Sequence, residues 1–435
     1  MYVERISATS TKEGYLVYDV QNIFQSGEWR SNSSHYPMDG IQINLLDPSS
    51  LSDDGPIRKG AIIESFQTDC PASSATQKIK IYINGAFFGQ KDCNQRIHVK
   101  GYVSSIFIMG EAEKRLPVKN SFNVSGVDFF IKNSAGEVGK ADVVYPEKVT
   151  GRVAATSVLE PASAFRPYFI FDGRIDFGWS EGAKNSGEGE SLQINLERDL
   201  EIRGMEIYTG FQMSESHFEK NAVPVSLEVK SGDAVQNITL KPIMGSQRIF
   251  FNTPFTGKSF TIKILSAKKG SVWQDALISE ITLVGNENRR FTVADPEFEK
   301  NTLALHNSIK DSILSDFADQ ALFSGNSEDN YRILIRSNAS FVIWHSSPNE
   351  SIVMDGNWYP DVLEKNRAVI HIIGRLHKVE SRPEGDNAEG NPYADSSRIV
   401  KVEGDYVFAD TLEIGGSETD GFNITAKRIN GTFSN

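Results

Sequence analysis

The sequence predicts a mainly β protein: two tandem β-sandwiches, then a C-terminal region with one helix and a β-meander or small barrel. Composition is the first indication, because 26 phenylalanines and 35 glycines accompany β-branched residues in short alternating runs. Internal repetition is the second indication, because residues 1–135 and 146–285 look like two copies of one unit. We therefore expect domains over residues 1–140, 146–286 and 291–435.

The evidence for duplication is a set of matching strings in the same order. Gln42–Leu45 and Gln193–Leu196 both read QINL, and Trp29 corresponds to Trp179. Further pairs flank these matches: Ala8-Thr9-Ser10 with Ala155-Thr156-Ser157, and Phe66-Gln67 with Phe211-Gln212. The spacing between matches changes mainly where loops are expected, so duplication of a β domain is the simplest interpretation.

Within each copy the strands are predicted to be short and bounded by turns. Lys78–Gly85 reads KIKIYING, and its Asn84-Gly85 dipeptide between apolar runs predicts a β-hairpin. In the second copy, Ser226–Lys230, Ser259–Leu265 and Leu277–Val284 alternate in the same way. An antiparallel sandwich follows from this pattern.

The C-terminal region begins after a polar connector at Asn286–Arg290. Apolar residues recur at helical spacing over Phe298–Phe317, which predicts one amphipathic helix. The segment Glu380–Ser397 is rich in Gly, Pro, Asp and Asn, so we expect a mobile loop there. Strand-like runs lie at Tyr331–Ile335, Ser340–Trp344, Ser351–Met354, Ala368–Leu376, Arg398–Val402 and Tyr406–Ile414.

Charge and hydropathy exclude two classes of protein. The net charge is -12 and no basic run could follow a nucleic-acid backbone, so we expect no nucleic-acid partner. No run approaches the roughly 20 apolar residues of a membrane span. Residues 1–30 lack the apolar core of a signal peptide, which leaves export open because a leader can be removed before Met1.

The chain has two cysteines, Cys70 and Cys93. They are too few for a structural zinc site of four thiolates. One alternative is a disulfide that joins a sheet edge to the next hairpin, which would suit an oxidising compartment. The other alternative is a pair of free buried thiols.

The rest of the chain is organised around Phe171–Leu196, which reads FDGRIDFGWSEGAKNSGEGESLQINL. Apolar anchors interleave there with aspartates and glycines, and a turn crowded with carboxylates and carbonyls suits a hard cation. A glycine-rich loop follows Trp179 and allows open backbone geometry. Leu192, Ile194 and Leu196 then alternate with polar residues, which predicts a half-buried strand.

These residues resemble a known family. Residues 150–285 resemble a discoidin-type, or coagulation-factor C-type, galactose-binding-like β-sandwich, and residues 3–133 resemble it more faintly. The second copy is most similar to the glycan-binding variant found beside streptococcal NAD-glycohydrolase toxins. The two-sandwich layout, with a DGNW turn at Asp355–Trp358, resembles spirochaetal surface proteins of largely unassigned function. The motifs that carry the likeness are Asp172-Gly173, Trp179, Glu181-Gly182, Gly187, Gly189-Glu190, Tyr208–Gln212, Phe218 and Asn221.

The resemblance implies a jelly-roll sandwich with its ligand loops at one end and a structural calcium ion. Carried over to this sequence, the calcium ligands are Asp172, Asp176 and Glu280, with a main-chain carbonyl from Arg174. Calcium takes six to eight oxygens and accepts carbonyls from irregular loops, so this set is chemically reasonable. The alternative is that Asp172-Gly173 only makes a turn.

The resemblance also implies a glycan site. Its candidates are aromatic, amide and carboxylate side chains, which together can stack on a sugar and exchange hydrogen bonds with its hydroxyls. They are Trp179, Glu181, Tyr208, Phe211, Gln212 and Asn221. The alternative is that the aromatic residues belong to the core. The glycan hypothesis requires Trp179, Tyr208 and Gln212 to open onto one concave end of the sandwich, and side chains directed into the core would favour adhesion instead.

No motif in the sequence indicates catalysis. None of the seven histidines has a spacing such as H-E-x-x-H, and neither a G-x-S-x-G elbow nor a P-loop occurs. We therefore expect a non-catalytic, carbohydrate-binding protein, secreted or on the outer cell surface, with a glycan or glycoconjugate as its partner and calcium as a structural cofactor. The alternative is an adhesin or structural module that binds host or matrix protein without a small-ligand pocket. An unrecognised enzyme in residues 291–435 is the least favoured alternative.

Overall fold

The computed structural model divides the chain into two compact units. Compact unit 1 is Met1–Ser7, Ile43–Ala61 and Asp142–Lys300, and compact unit 2 is Ala8–Gln42, Ile62–Ala141 and Asn301–Asn435. The domain limits 1–140, 146–286 and 291–435 stay predictions. The structure describes residues 1–8, 19–25, 27–31, 40–74, 76–110, 121–160, 162–312, 314, 321–325, 330–335, 340–346, 351–365, 368–379, 399–408, 411–415 and 423–427.

Strands dominate the described residues, which confirms the prediction of a mainly β protein. The strands before residue 141 are β1 (Tyr2–Ala8), β2 (Trp29–Arg30), β3 (Gly40–Leu46), β4 (Gly55–Pro56), β5 (Ala61–Asp69), β6 (Lys78–Ile83), β7 (Ala86–Asp92), β8 (Arg96–Val103), β9 (Ser105–Gly110), β10 (Asn123–Val124), β11 (Gly126–Lys132) and β12 (Val138–Lys140). The next strands are β13 (Glu147–Ala155), β14 (Trp179–Ser180), β15 (Ser191–Thr209), β16 (Val223–Ser231), β17 (Ala234–Thr239), β18 (Gln247–Lys268), β19 (Leu277–Val284) and β20 (Arg290–Ala294). The C-terminal strands are β21 (Ala321–Gly325), β22 (Asn330–Ile335), β23 (Ser340–Ser346), β24 (Ser351–Leu363), β25 (Ala368–Val379), β26 (Ile399–Phe408), β27 (Thr411–Gly415) and β28 (Asn423–Lys427). The α-helices are α1 (Glu215–Lys220) and α2 (Pro296–Lys310), and 3₁₀ turns lie at Val20–Phe24, Pro48–Ser50, Pro167–Phe171 and Asn286–Asn288.

Compact unit 1 is built on one large sheet. Its strands are hydrogen-bonded in the order β14-β19-β20-β13-β15-β18-β16-β17, and β4 pairs with β18. Because β15 also pairs with β19, the strands β19, β20, β13 and β15 close into a small barrel. The prediction of short strands was wrong for β15 and β18, which run for 19 and 22 residues. Register shifts interrupt the pairing of β15 with β18 between Asn195 and Leu200 and again between Ile202 and Gly204.

The inward face of β15 forms the centre of the core. Leu192, Ile194 and Leu196 are buried while Gln193 and Asn195 are exposed, which confirms the predicted period-two pattern. They pack in one cluster with apolar residues from the other strands, among them Trp179, Ile207, Leu227, Phe260, Ile278 and Phe291.

The N-terminal strand β1 lies in compact unit 1 although most of that unit's sequence begins at Asp142. Val3 N donates to Val144 O at 2.8 Å. Arg290 donates to the carbonyls of Val3 and Glu4, the latter at 2.8 Å. Arg290 also binds the buried Glu206 carboxylate, so one guanidinium group ties β1 to the sheet through buried hydrogen bonds.

Strands of compact unit 2 from the first half of the chain belong to three further sheets. One places β6 between β9 and β7, the second pairs β10 with β2, and the third has the order β12-β11-β5-β8. The predicted hairpin is confirmed: β6 pairs with β7 around Asn84 and Gly85, whose φ angles are 53° and 80°. Cys70 and Cys93 form a disulfide, which decides between the two alternatives left by the sequence.

The C-terminal strands β21 to β28 pair antiparallel in sequence order, which confirms the predicted β-meander. Two details differ from the sequence prediction. The pattern predicted separate strands on either side of Gly404, whereas β26 continues through it because Gly404 pairs with Ile372 of the long strand β25. Asp355–Trp358 is not a turn, because it lies inside β24 between β23 and β25.

The predicted helix at Phe298–Phe317 is α2, which begins at Pro296. Asp295 Oδ1 accepts the Glu297 N–H at 2.9 Å, and proline fits the first turn because its missing N–H leaves no donor unsatisfied. Residues 313 and 315–317 of the predicted helix, and the predicted mobile loop at Glu380–Ser397, lie outside the described residues.

Candidate functional site

Glu181 holds together the loops at one end of the large sheet of compact unit 1. Its side chain is buried, with Oε1 accepting the Ala276 N–H at 2.9 Å and Oε2 accepting the Ala183 N–H at 2.7 Å. Burial raises the pKa of Glu181, and the two backbone donors oppose that rise. Gly187 packs against this carboxylate at φ +76°, where a Cβ atom would stand 2.8 Å from Glu181 Cγ. The glycine-rich loop is therefore shaped around Glu181.

Trp179 and Tyr208 are core residues. Trp179 has no exposed surface, and its Nε1–H donates to Ser157 O at 2.9 Å. Tyr208 is 3% exposed, and its hydroxyl donates to the Glu4 carboxylate on β1. Burial, followed by the charge of Glu4, raises the pKa of Tyr208 well above its usual value.

Phe211, Gln212 and Asn221 are buried beside them. Phe211 makes an edge contact with the His217 ring at 5.0 Å. Gln212 Nε2 donates to Thr209 O at 2.6 Å. Asn221 Nδ2 donates to His217 O at 2.8 Å. These amide groups therefore bind the chain itself.

All six predicted glycan contacts are thus buried in compact unit 1. Trp179, Tyr208 and Gln212 do not open onto a concave end, and by the criterion set from the sequence this burial favours adhesion over glycan binding through these side chains. Their role as ligand contacts stays a prediction. In the structure these side chains are buried, and the amide groups among them donate to backbone carbonyls.

The predicted calcium ligands lie at the turn after the 3₁₀ segment Pro167–Phe171. Asp172 Oδ1 accepts the Arg174 N–H at 2.8 Å, and Glu280 Oε2 accepts the Gly173 N–H at 3.2 Å. Asp176 is bound by Arg174, whose Nε and Nη2 donate to its two oxygens at 3.1 and 2.6 Å. Burial raises the pKa of both Asp172 and Glu280 well above their usual range, and neighbouring carboxylates raise it further.

This donor set fits calcium poorly. The Asp176 carboxylate is engaged by a guanidinium group, and Arg174, expected to supply only a carbonyl, brings a positive charge to the turn. Across the part of the chain that the structure describes, no group of three or more His, Cys, Asp or Glu side chains could hold a metal ion. Calcium binding therefore stays a prediction.

A half-buried tryptophan lies at the Glu181 end of the sandwich. It is not among the site residues predicted from the sequence. We define the loop end as residues 181–190, 215–221 and 269–276. Trp273 is half-buried there, beside the exposed Val272, and its backbone N–H donates to Lys220 O at 2.8 Å. Ser186 Oγ donates to Gln274 Oε1 at 3.2 Å, which joins the tryptophan loop to the glycine-rich loop. Lys184 and Asn185 are exposed on that second loop.

Sequence reasoning missed Trp273 because it followed the repeat and the family motifs, neither of which contains it. The signal available was local: Lys269-Gly270-Ser271 is a polar turn, and an aromatic residue just after such a turn cannot be assigned to a strand face by alternation. Gly270 is required there, since a Cβ atom would stand 2.5 Å from the backbone carbon of Asn221.

Residues 144–284 match the family model of the NAD glycohydrolase translocation F5/8 type C domain. The match confirms the family resemblance found in the second copy. No curated protein matches the chain significantly in sequence.

The similar solved structures are distant. Arabinofuranosyltransferase AftD from Mycobacteria is 11% identical with a TM-score of 0.28, and the alignment covers 97% of this chain but 41% of that protein. The family 32 carbohydrate-binding module of Clostridium perfringens NanJ, solved with galactose, is 17% identical over 31% of this chain and 92% of its own, with a TM-score of 0.24. The CBM32-1 and CBM32-2 domains of C. perfringens ZmpB, solved with GalNAc, are 8% identical over 65% of this chain and 89% of their own, with a TM-score of 0.23. Similarity at this level assigns no ligand to this chain.

Proposed function

We propose that the discoidin-like domain of this protein is a non-catalytic glycan-binding module, and that it binds through the loop end. The observation that carries this proposal is the position of Trp273, a partly buried tryptophan among polar residues on the loops that Glu181 ties together. The match of residues 144–284 to a discoidin-like family supports the proposal.

The loop end has the chemistry that sugar recognition needs. An indole face packs against the C–H surface of a pyranose ring, while nearby amide and ammonium groups exchange hydrogen bonds with its hydroxyls. Trp273 and Val272 supply the apolar surface and Lys184 supplies an exposed donor, while Asn185 is exposed but accepts the Gly187 N–H with its Oδ1. Because Glu181 is hydrogen-bonded to both the glycine-rich loop and the loop that carries Trp273, these loops lose little conformational freedom when a ligand binds.

The proposal places the protein outside the cytoplasm, on the cell surface or in a secreted form. The Cys70–Cys93 disulfide supports this location, since such bonds persist in oxidising compartments. Among the described residues, no helix is both long enough and apolar enough to cross a membrane.

A glycan array probed with the full chain tests the proposal. We expect at least one carbohydrate hit, and Trp273→Ala should weaken it by about tenfold or more, the scale of a lost aromatic contact. Val235→Ala is the matched control, because Val235 is exposed on β17 and lies outside the loop end. Equal binding by the Trp273→Ala variant and the wild type would exclude this surface, and a blank array would argue against glycan binding altogether.

Adhesion to a host or matrix protein is the second candidate function. Two observations favour it: the burial of the six predicted glycan contacts, and exposed apolar side chains in compact unit 2. Phe87 and Phe88 follow the Asn84-Gly85 turn, and Asn84 Nδ2 donates to Tyr102 O at 3.0 Å, which brings Tyr102 to the same hairpin end. Binding to one of a panel of purified matrix proteins, lost in a Phe87→Ser/Tyr102→Ser double variant and kept in Trp273→Ala, would support this function.

A further inference from the structure

The tryptophan loop, residues 269–276, is bound to the C-terminal end of helix α1. Ser271 N–H donates to Glu219 O at 3.0 Å. The N–H groups of Val272 and Trp273 both donate to Lys220 O, at 3.2 and 2.8 Å. The last carbonyls of an α-helix have no partner within the helix. The loop therefore supplies the donors that this helix end lacks, and α1 in turn fixes the backbone of three successive loop residues.

Asn221 determines where α1 ends. Its side chain is buried, and the chain leaves the helix there in an extended conformation, with φ -98° and ψ 158°. The backbone N–H of Asn221 donates to His217 O at 3.2 Å, and its side-chain Nδ2 donates to the same oxygen at 2.8 Å. The carbonyls of Glu219 and Lys220, which follow His217 along the helix, are the ones that the tryptophan loop binds. The amide group of Asn221 thus fixes the end of the helix to which the loop is attached.

The contact between helix and loop continues on both sides of Trp273. Ala222 N–H donates to Asp275 O at 3.1 Å, so the chain after α1 stays beside the loop. On the other side, a Cβ atom on Gly270 would stand 2.3 Å from both Lys220 O and Trp273 O. Both are backbone atoms and cannot move aside separately, so this close approach requires glycine. A displacement of the helix end would therefore displace the backbone of Trp273 as well.

The hydrogen bonds of Asn221 favour an indirect role in ligand binding over a direct one. Its Nδ2 is bound to His217 O, so a sugar hydroxyl would have to compete with the helix for this donor. Breaking the bond would leave a buried carbonyl with a weaker set of partners, which costs free energy. The side chain can influence a ligand without such competition through the position of Trp273.

We propose that Asn221 is a positioning residue for Trp273: its side-chain amide fixes the C-terminal end of α1, and that end holds the tryptophan loop where Trp273 can contact a sugar. The inference rests on the proposed glycan-binding function of the loop end. It gives Gly270 a part in the same arrangement, because only a residue without a Cβ atom lets the loop reach Lys220 O.

Fluorine NMR of the full chain labelled with 5-fluorotryptophan tests the positioning directly. The Trp273 resonance is assigned as the line that disappears in Trp273→Phe. Asn221→Ala should shift or broaden this line and leave the lines of the other tryptophans in place, and Gly270→Ala should perturb the same line. Gln236→Ala is the matched control, because Gln236 Nε2 also donates to a backbone carbonyl, Thr253 O at 2.6 Å, but lies on β17 outside the loop end. It should leave the Trp273 line unchanged.

Glycan affinity is the second measurement. For every glycan that the wild type binds on the array, Asn221→Ala should weaken binding by about three- to tenfold, the range expected for one lost hydrogen bond. The factor should be the same for all of them, since the position of Trp273 serves each ligand. A direct contact would instead change the preference among glycans that differ at one hydroxyl.

Two results would overturn the proposal. One is an unchanged Trp273 line in a folded Asn221→Ala variant, and the other is a loss of affinity confined to some of the glycans. A blank array would count against the proposed function, whereas the fluorine spectrum still decides whether Asn221 positions Trp273. If Asn221→Ala does not fold, Asn221→Ser replaces it. The serine hydroxyl is shorter than the amide, so the same line should move, by a smaller amount, and an unchanged line contradicts the proposal.

Discussion

Replacing Glu206 by glutamine removes the common counter-charge of two buried arginines. The side chains of Arg248 and Arg290 have no exposed surface, and that of Glu206 is 4% exposed. Arg290 Nε donates to both Glu206 oxygens, at 3.1 and 3.0 Å, and Arg248 Nη2 donates to Oε1. Glutamine keeps the shape of the side chain but leaves two buried guanidinium groups uncompensated.

The structure gives the expected size of the loss. Breaking a buried ion pair by removing one partner costs about 3–5 kcal/mol. The matched control is Glu201→Gln on the same strand, because Glu201 pairs with Arg203 at 3.4 Å with side chains 41% and 53% exposed. An exposed pair contributes about 0–1 kcal/mol. Neutralising Glu206 should therefore cost several times more free energy of unfolding than neutralising Glu201, although both residues lie on β15.

Urea titration followed by hydrogen exchange of β15 and β18 peptides measures the free energy of unfolding of compact unit 1 by itself. With a urea dependence of about 2 kcal/mol per molar, Glu206→Gln should lower the midpoint by about 1.5–2.5 M. Glu201→Gln should lower it by about 0.5 M or less. Equal shifts for the two variants would refute the argument that burial sets the contribution of this network.

Three further predictions concern acidity, the glycine-rich loop and the disulfide. Burial alone would raise the pKa of Glu4, but Lys59, Arg5 and hydrogen bonds from Tyr208 and Ser246 lower it overall. The ionised Glu4 carboxylate therefore stabilises the fold above its unfolded pKa, and this contribution is lost as pH falls through its folded pKa. Glu4→Gln should therefore flatten the acid limb of a plot of stability against pH; an unchanged limb would contradict this. Gly187→Ala should cost more in thermal stability than Gly189→Ala, by about 1–3 kcal/mol, because both have positive φ but a Cβ atom meets Glu181 only at Gly187. Replacing Cys70 and Cys93 by serine should reduce the stability of compact unit 2 by about 3 kcal/mol in the same exchange assay, and a loss in compact unit 1 peptides instead would argue against it.

Local pattern was enough to predict the elements whose neighbours are close in sequence. The alternation of Leu192, Ile194 and Leu196 and the Asn84-Gly85 turn are settled by backbone chemistry within a few residues, and both are confirmed. The lengths of β15 and β18 could not be predicted in this way. Their bulges interrupt the period of two, so local alternation does not show that strand pairing continues on both sides of each bulge.

The candidate site was harder to predict for a different reason. A tryptophan in a core and one on a sugar-binding surface look the same in sequence, and only the packing of β14 against β19 shows that Trp179 is inside. The same holds for Asp172 and Glu280. Burial raises the pKa of both carboxyl groups, and Arg5, which is far away in sequence and has no motif of its own, is among the charges that lower it.

The position of β1 in compact unit 1 also determines when this unit can finish folding during synthesis. Val3 and Arg290, which are hydrogen-bonded in the folded protein, are 287 residues apart. A ribosome adding about 5–20 residues per second needs roughly 15–60 s to cover that distance. During this interval β1 has been synthesised but Arg290 has not. Compact unit 1 therefore cannot finish folding until synthesis has reached β20. A chaperone or export factor that binds extended segments would have its best opportunity in that period.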